Sequence, residues 1–189
     1  MLKSQKVNQE TRVITGPVRL SYVQVWEPKA MDGGKPKFSV TPLIPKTDRA
    51  TLDAMDKAIK AAARQGQQKF GEDFMRGLRI PLRDGDTDES KGGAEGYVGC
   101  MFLNASTYNR PGVLDRNKQP LEDKEELYSG CYARASLNFY PYKVNGNKGV
   151  ACGLNNLMKV RDGEYLGGRA RAEADFADVE VEDDFDDDL

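Results

Sequence analysis

The chain has 189 residues, of which 39% are hydrophobic, with 28 Lys and Arg against 30 Asp and Glu and no His. This length suits one domain with its own core, and the lack of His excludes Ser–His and Cys–His catalysis and most transition-metal sites. No segment reaches the roughly 18 apolar residues of a membrane span, and the N-terminal residues lack a signal-peptide pattern, so we expect a cytoplasmic protein.

The charge is divided unevenly along the chain. Residues 172–189 contain ten Asp and Glu and no Lys or Arg, so residues 1–171 carry 28 basic against 20 acidic side chains, a net charge of about +8. A segment this acidic buries too little apolar surface to offset the entropy of ordering it. We therefore predict one domain over residues 1–171 and a disordered acidic tail over residues 172–189.

The first predicted elements are two strands that form a hairpin. A β-branched and aromatic run at residues 13–26 predicts an opening strand, bent near Gly16 where Gly-Pro interrupts it. A turn at Gly33 and Gly34 separates it from a second predicted strand at residues 37–44. Trp26, near the end of the first strand, suits either stacking or core packing, and core packing is favoured.

One clear helix follows this hairpin. Thr47 or Asp48 can cap it, and its apolar residues recur at helical spacing on one face. That face consists of Leu52, Met55, Ile59, Ala62 and Ala63. We expect the helix to fray near Gly66. Residues 83–96 are rich in Gly, Asp, Glu and Ser, which predicts a long exposed loop.

Three further strands are predicted at residues 97–105, 130–142 and 149–160, with turns at 110–112 and 145–147. About five strands with one inserted helix fit a mainly β fold, a five-stranded Greek-key barrel of the OB type, better than a parallel sheet with alternating helices.

The three cysteines, Cys100, Cys131 and Cys152, lie in predicted strands and show no CxxC spacing. We interpret them as reduced core residues. A structural zinc ion requires four N or S ligands, which three cysteines without His do not supply. No metal and no cofactor is therefore predicted.

The segment from residue 131 to residue 142 has two distinct faces, because side chains alternate along a strand with a period of two. The apolar face, which belongs in the core, contains Cys131, Ala133, Ala135, Leu137 and Phe139. The other face contains Tyr132, Arg134, Ser136, Asn138 and Tyr140, with Tyr142 and Lys143 just beyond a break at Pro141. Aromatic rings stack on bases, and Arg and Lys neutralise phosphates, so this face predicts a surface for a single nucleic-acid strand. The alternative is that its tyrosines only cover the barrel beneath a loop.

Other aromatic and basic residues extend this predicted surface. Lys35 and Lys37 follow the hairpin turn, and Tyr108 and Arg110 end the third strand. Each is weak evidence alone, since a lysine in a Gly-rich turn is usually a solvated charge.

The acidic loop supports competing interpretations. Asp84, Asp86 and Asp88 match positions 1, 3 and 5 of a calcium loop, and Glu95 matches position 12, but position 6 is not the required Gly. The same carboxylates give the alternative function, a metal-dependent nuclease or recombination enzyme, although no rigid strand is predicted to hold its metal ions. A third interpretation is an adaptor that binds only proteins.

Several sequence blocks carry a family resemblance. They are residues 18–22, 33–40, 43–46, 81–86, 128–136, 147–156 and 166–169. In this order they resemble the phage DUF2815 family. The resemblance implies an OB-fold single-stranded DNA-binding protein that is not an enzyme, acts in DNA replication or recombination, and works in the host cell cytoplasm, with self-association left open.

Members of this family end in an acidic tail, and the uneven charge of this chain suggests a role for its own tail. Phage or host replication proteins are its expected partners. The tail residues expected to contact them are Asp183, Asp184, Phe185, Asp186, Asp187, Asp188 and Leu189. The same residues are expected to compete with DNA for the basic surface of the body.

Overall fold

The strands and helices follow one another in the predicted order. The structure is a computed structural model that describes residues 9–30, 32–167 and 175–179. The strands are β1 (Arg12–Ile14), β2 (Val18–Lys29), β3 (Lys37–Pro45), β4 (Arg83–Asp84), β5 (Cys100–Phe102), β6 (Ala105–Thr107), β7 (Gly112–Leu114), β8 (Tyr132–Val144) and β9 (Asn147–Arg161), and the helix is α1 (Arg49–Phe70). Short 3₁₀ turns lie at Gln9–Thr11, Glu72–Met75 and Lys124–Glu126.

A closed ring of strands forms a barrel. β2 pairs antiparallel with β3 and with β8, and β3 pairs antiparallel with β5 and β6. β6 runs parallel to β9, and β9 pairs antiparallel with β8, which closes the ring. Because β5 and β6 occupy one position, the ring has five positions, as predicted for an OB-type barrel. The short strands β1, β4 and β7 are additions that the sequence analysis did not separate.

Strand β8 has the predicted division into two faces. Its inward face, from Cys131 to Phe139, is at most 1% exposed and forms the centre of the core. The predicted break at Pro141 is wrong, because β8 continues to Val144 and Pro141 pairs with Val150 of β9. A two-residue turn at Asn145 and Gly146, both with positive φ, then leads directly into β9.

Helix α1 covers the barrel on the side of β8. Asp48 caps it by accepting a hydrogen bond from the backbone N–H of Thr51. The predicted fraying at Gly66 is wrong, since the helix continues to Phe70. A Cβ at Gly66 would lie 2.1 Å from the Phe74 ring and 2.7 Å from Cβ of Pro141. Gly66 therefore lets the helix approach β8 closely instead of ending it.

The cysteines are free thiols, and Cys131 and Cys152 are buried as predicted, whereas Cys100 is half-buried. Burial raises the pKa of each of the three thiols. Trp26 packs partly buried against the core and donates from Nε1 to the Leu127 carbonyl.

Within the described part of the chain, no helix is long and apolar enough to cross a membrane. The tail residues predicted to contact partners, Asp183 to Leu189, lie outside the described residues.

Candidate nucleic-acid interface

A groove crosses the outer surface of the barrel over β3, β6, β9 and β8. Its main part has a volume of about 810 Å³, and a smaller hollow of about 250 Å³ continues it. The main part is lined by Lys37, Arg79, Ile80, Pro81, Arg83, Asn104, Ser106, Tyr140, Tyr142, Val150, Ala151 and Cys152. The smaller hollow shares Lys37, Ser106 and Tyr140 with it and adds Tyr108. The two hollows therefore form one continuous surface, which we call the groove.

The position of the groove follows from the barrel. In OB folds, oligonucleotides bind on the second and third strands of the ring and on the loops between strands 1 and 2 and between strands 4 and 5. Here those strands are β3 and β5–β6, and those loops are residues 30–36 and 145–146. The groove thus overlaps the strand part of the surface on which this architecture binds oligonucleotides and oligosaccharides.

Tyrosines from two strands line the groove. Tyr140 and Tyr142 lie two residues apart on β8 and so point to the same side of the sheet. Their partners on β9 are the small residues Ala151 and Gly149. Ala151 leaves room beside the Tyr140 ring, whereas the backbone of Arg79 takes the space at Gly149. Tyr140 is 41% and Tyr108 53% exposed, so both rings are reachable from solvent. Burial of the other part of Tyr140 raises the pKa of its hydroxyl, although the Lys37 ammonium lowers it.

Basic side chains surround these rings. The ammonium groups of Lys35 and Lys37 lie 4.9 and 4.8 Å from the centre of the Tyr108 ring. The backbone of Arg79 is fixed against β9. Its carbonyl accepts a hydrogen bond from Val150 N–H, and its N–H donates to the Lys148 carbonyl. A Cβ at Gly149 would lie 2.5 Å from the Arg79 carbonyl oxygen, so glycine allows this close approach.

The cations at this groove differ in their partners. Across the described ranges 9–30, 32–167 and 175–179, no ion pair includes Lys35, Lys37 or Arg79. Arg83, by contrast, is paired with Asp88. The groove therefore presents three positive charges that no described carboxylate neutralises, which favours an anionic ligand.

The structure brings only some of the predicted site residues together. Lys35, Lys37, Tyr108, Tyr140 and Tyr142 meet at the groove. Their convergence is not visible in the sequence, because they come from three separate segments, residues 35–37, 108 and 140–142.

Four predicted site residues lie elsewhere. Tyr132 is eight residues from Tyr140, or roughly 26 Å along the strand, and the Arg161 guanidinium lies 3.6 Å from its ring centre. Arg134 donates to the Thr15 carbonyl. Arg110 lies 5.9 Å from the Trp26 ring centre, and Lys143 is exposed near the end of the β8–β9 hairpin.

Sequence reasoning missed several groove residues. Arg79 and Arg83 come from the segment after α1, which no strand pattern marked, and Asn104 and Ser106 come from the short β5–β6 strands. Arg79 reaches the groove through an isolated bridge to Gly149, seventy residues away. No local pattern encodes such a contact, although residues 81–86 were part of the family resemblance.

The acidic loop is folded, and its three aspartates are paired with cations. Lys46 Nζ lies 2.7 Å from Asp84 and 2.6 Å from Asp86. Asp88 accepts two hydrogen bonds of 2.7 Å from Arg83. These partners hold the pKa of all three carboxyl groups below the usual range. Among the described residues, no three Asp, Glu, Cys or His side chains are grouped to hold a metal ion.

Comparisons with known proteins agree with this architecture. The profile of the family described as "Enterobacter phage Enc34, ssDNA-binding protein" matches residues 11–186. A relative, protein p50 of Acyrthosiphon pisum secondary endosymbiont phage 1, is 34% identical over 176 residues, which cover 87% of this chain and 91% of the relative.

Solved structures show the same fold. The single-stranded DNA-binding protein from bacteriophage Enc34, in complex with single-stranded DNA, superposes with a TM-score of 0.72 at 25% identity, covering 85% of this chain and 92% of that one. The single-stranded DNA-binding protein gp2.5 of bacteriophage T7 shares the fold with a TM-score of 0.61 at 13% identity, over 85% of this chain and 97% of that one. The predicted resemblance to phage proteins of this kind is confirmed, and the DUF2815 label is compatible with it. The chain therefore belongs to the family of phage single-stranded DNA-binding proteins described for Enterobacter phage Enc34.

Proposed function

We propose that this chain binds single-stranded DNA along the groove without sequence preference, and protects it during phage replication or recombination in the host cytoplasm. The observation that carries the proposal is the convergence of three tyrosines with unpaired cations on the ligand-binding surface of an OB-type barrel. Family membership supports the same ligand.

The chemistry of the groove fits a single strand. Tyr108, Tyr140 and Tyr142 offer rings for stacking, and every base has a stacking face, so these contacts do not select a sequence. Lys35, Lys37 and Arg79 lie at the same surface and neutralise phosphates, which makes binding salt-dependent. A duplex keeps its bases stacked inside and does not offer them to these rings.

The sequence-based choice of DNA-binding residues is revised by this geometry. We assign the central contacts to Lys37, Tyr140 and Tyr142, with Tyr108 and Lys35 at one end. Arg110 and Lys143 are peripheral. We assign no DNA contact to Tyr132 and Arg134.

Fluorescence anisotropy tests the proposal. Labelled oligo-dT and a duplex of the same length are titrated with the full chain at several salt concentrations. We expect tight binding of the single strand, weakening with salt, and much weaker binding of the duplex. Equal binding of both, or none, would reject the groove as a single-strand site.

The same samples separate the competing functions. The proposal includes no catalysis, so labelled strands incubated with Mg²⁺ or Mn²⁺ should stay intact. Cleavage that Asp84→Asn or Asp88→Asn abolishes would support the nuclease alternative instead. Failure to retain any oligonucleotide, with a protein partner still bound, would support the adaptor.

The acidic tail has two proposed roles, recruitment of replication proteins and competition with DNA for the groove. A tethered competitor acts at an effective concentration of about a millimolar, and salt screens it. We expect a variant lacking residues 172–189 to bind oligo-dT more tightly, most of all at low salt. Unchanged affinity at low salt would reject competition between the tail and DNA and leave recruitment as the role of the tail. A pull-down of replication proteins with the full chain and with the truncated variant measures recruitment.

A further inference from the structure

Tyr22 is an exposed aromatic residue in an unusual backbone conformation. Its φ is 45°, in the left-handed region that bulky residues rarely adopt, and its side chain is 58% exposed. It lies where the register of β2 and β3 shifts between Ser21 and Gln24, which marks a bulge. Such conformations cost free energy and cluster at binding sites, so the bulge that presents this ring to solvent requires an explanation.

Lys91 is bound to this tyrosine. Its ammonium group donates to the Tyr22 hydroxyl and lies 4.4 Å from the ring centre. The ammonium therefore sits at the hydroxyl end of the ring and not over its middle, so the ring remains available for stacking. This hydrogen bond raises the pKa of Lys91, which keeps its positive charge. The pair thus combines a ring and a cation, as the groove does.

Two chains of contacts connect this pair to the groove. Arg83, which lines the groove, donates to the Ser90 hydroxyl next to Lys91. Separately, Asn104 in the groove accepts from the Thr41 hydroxyl, and Thr41 pairs with Ser21, beside Tyr22. The first chain is exposed and places Tyr22 on the same side of the barrel as the groove, whereas the second runs beneath the surface, because Thr41 and Ser21 are buried.

Tyr22 and Tyr140 lie at opposite sides of this surface. β2 also pairs with β8, but only near Tyr132, at the other end of β8 from Tyr140. The path from Tyr22 to Tyr140 therefore crosses β3, β6 and β9, which makes four strand spacings or roughly 19 Å. A strand bound across β3 and β6, with Tyr140 at one end, would reach Tyr22 at the other if it were long enough.

We propose that Tyr22 and Lys91 form a second contact point for single-stranded DNA, at which Tyr22 stacks on a base and Lys91 meets a phosphate. This inference rests on the proposed function and extends the bound strand past the groove. Only oligonucleotides long enough to span the surface use the second contact point.

The test uses the full chain and compares its affinity for short and long oligonucleotides. Anisotropy is measured with oligo-dT of about 4 and about 16 nucleotides, the limits of OB-fold site sizes. The variant is Tyr22→Gly, because glycine adopts φ 45° without strain and removes the ring together with the hydroxyl that Lys91 contacts. We expect it to weaken binding of the long oligonucleotide by about tenfold and of the short one by less than about twofold. Tyr22→Phe keeps the ring and should restore most of the loss.

Matched controls complete the design. Lys91→Ala should lower the salt slope for the long oligonucleotide by about one, whereas Lys60→Ala, with the same charge change on the exposed surface of α1, should not. A long strand carrying 5-iododeoxyuridine should crosslink to Tyr22 on irradiation.

The outcomes separate this inference from the proposed function. If Tyr140→Ala weakens both lengths while Tyr22→Gly leaves both unchanged, the second contact point is rejected and the groove remains. Equal losses at both lengths for Tyr22→Gly also reject it, because the contact is then not specific to long strands. If the unaltered chain binds neither oligonucleotide, the proposed function fails and this inference fails with it.

Discussion

The two ends of β8 carry the same kinds of side chain in different surroundings. At one end, Tyr140 and Tyr142 stand beside Ala151 and Gly149 and border an open groove. At the other end, the Tyr132 ring is covered by the guanidinium of Arg161. The tyrosine-rich surface of one strand therefore becomes a candidate binding site at one end only.

The neighbouring strand explains this difference. The small residue Ala151 on β9 leaves space next to the Tyr140 ring, whereas Arg161, opposite Tyr132, fills the equivalent space near the end of β9. The cations also differ in position. Neither Lys37 nor Arg134 is in an ion pair in the described part of the chain, but Lys37 lines the groove, whereas Arg134 lies outside it and donates to the carbonyl of Thr15. An alternating pattern on one strand thus identifies a surface, and the partner strand decides whether a ligand can reach it.

The largest expected effect tests the two ends directly. The double variant Tyr140→Ala with Tyr142→Ala should weaken oligo-dT binding about 25-fold or more, since each lost stacking contact costs about 1–3 kcal/mol. Tyr132→Ala should change the affinity by less than about twofold. Anisotropy titrations at one salt concentration measure both. An equal loss in Tyr132→Ala would show that the whole surface of β8 binds DNA.

The contact between α1 and β8 supplies the next test. Gly66→Ala would place a methyl group 2.1 Å from the Phe74 ring and 2.7 Å from Pro141, between the two groove tyrosines. Alanine usually stabilises a helix interior by about 1 kcal/mol relative to glycine. Here overpacking should reverse the sign and destabilise the protein by about 1–3 kcal/mol.

Thermal melting measures this effect, with Gln67→Ala on the exposed surface of the same helix as the control. A rise in Tm for Gly66→Ala equal to that of Gln67→Ala would mean that α1 does not pack closely against β8 at Gly66. Weaker DNA binding by Gly66→Ala than by Gln67→Ala would show that the helix positions the groove end of the strand.

A single cation gives a smaller effect. Lys37→Ala should lower the slope of log affinity against log salt by about one, because one phosphate contact is lost. Arg134→Ala removes the same charge from the other end of β8 and should leave the slope unchanged. Identical slopes for the two variants would mean that Lys37 contributes only to the overall positive charge of residues 1–171.

Much of the fold was predictable because it depends on local patterns. The period-two alternation placed Ala133, Ala135 and Leu137 in the core, and the turn at Asn145 and Gly146 marked the β8–β9 hairpin. The apolar spacing of Leu52, Met55 and Ile59 gave the helix. In each case the residues that determine the element lie within it.

The site was less predictable because its members meet through contacts distant in sequence. Arg79 reaches the groove by pairing with β9, and Tyr132 is covered by Arg161, twenty-nine residues later. The acidic loop shows the same limit. The spacing of its aspartates allowed a competing metal-site interpretation, but Lys46 and Arg83 pair with these carboxylates. Composition gives the charges and not their partners.

The pairing of Arg83 with Asp88 leads to the smallest expected effect, a pH dependence. Arg83, followed by the Ser90 hydroxyl, holds the pKa of Asp88 below its usual range. A carboxyl group whose pKa is lowered by folding stabilises the fold above its unfolded pKa of about 3.9, and this contribution is lost as the pH falls below that value. The urea midpoint of the unaltered chain should therefore exceed that of Asp88→Asn at neutral pH, and the difference should shrink toward pH 2.

Asp53→Asn, in an exposed pair with Arg49 on α1, is the control and should show a smaller difference at neutral pH. A difference for Asp88→Asn that does not change with pH would mean that the Asp88 carboxylate acts through its shape and not its charge. If Asp88→Asn also weakens oligo-dT binding, Asp88 positions Arg83 in the groove, because removing a negative charge should otherwise favour an anionic ligand.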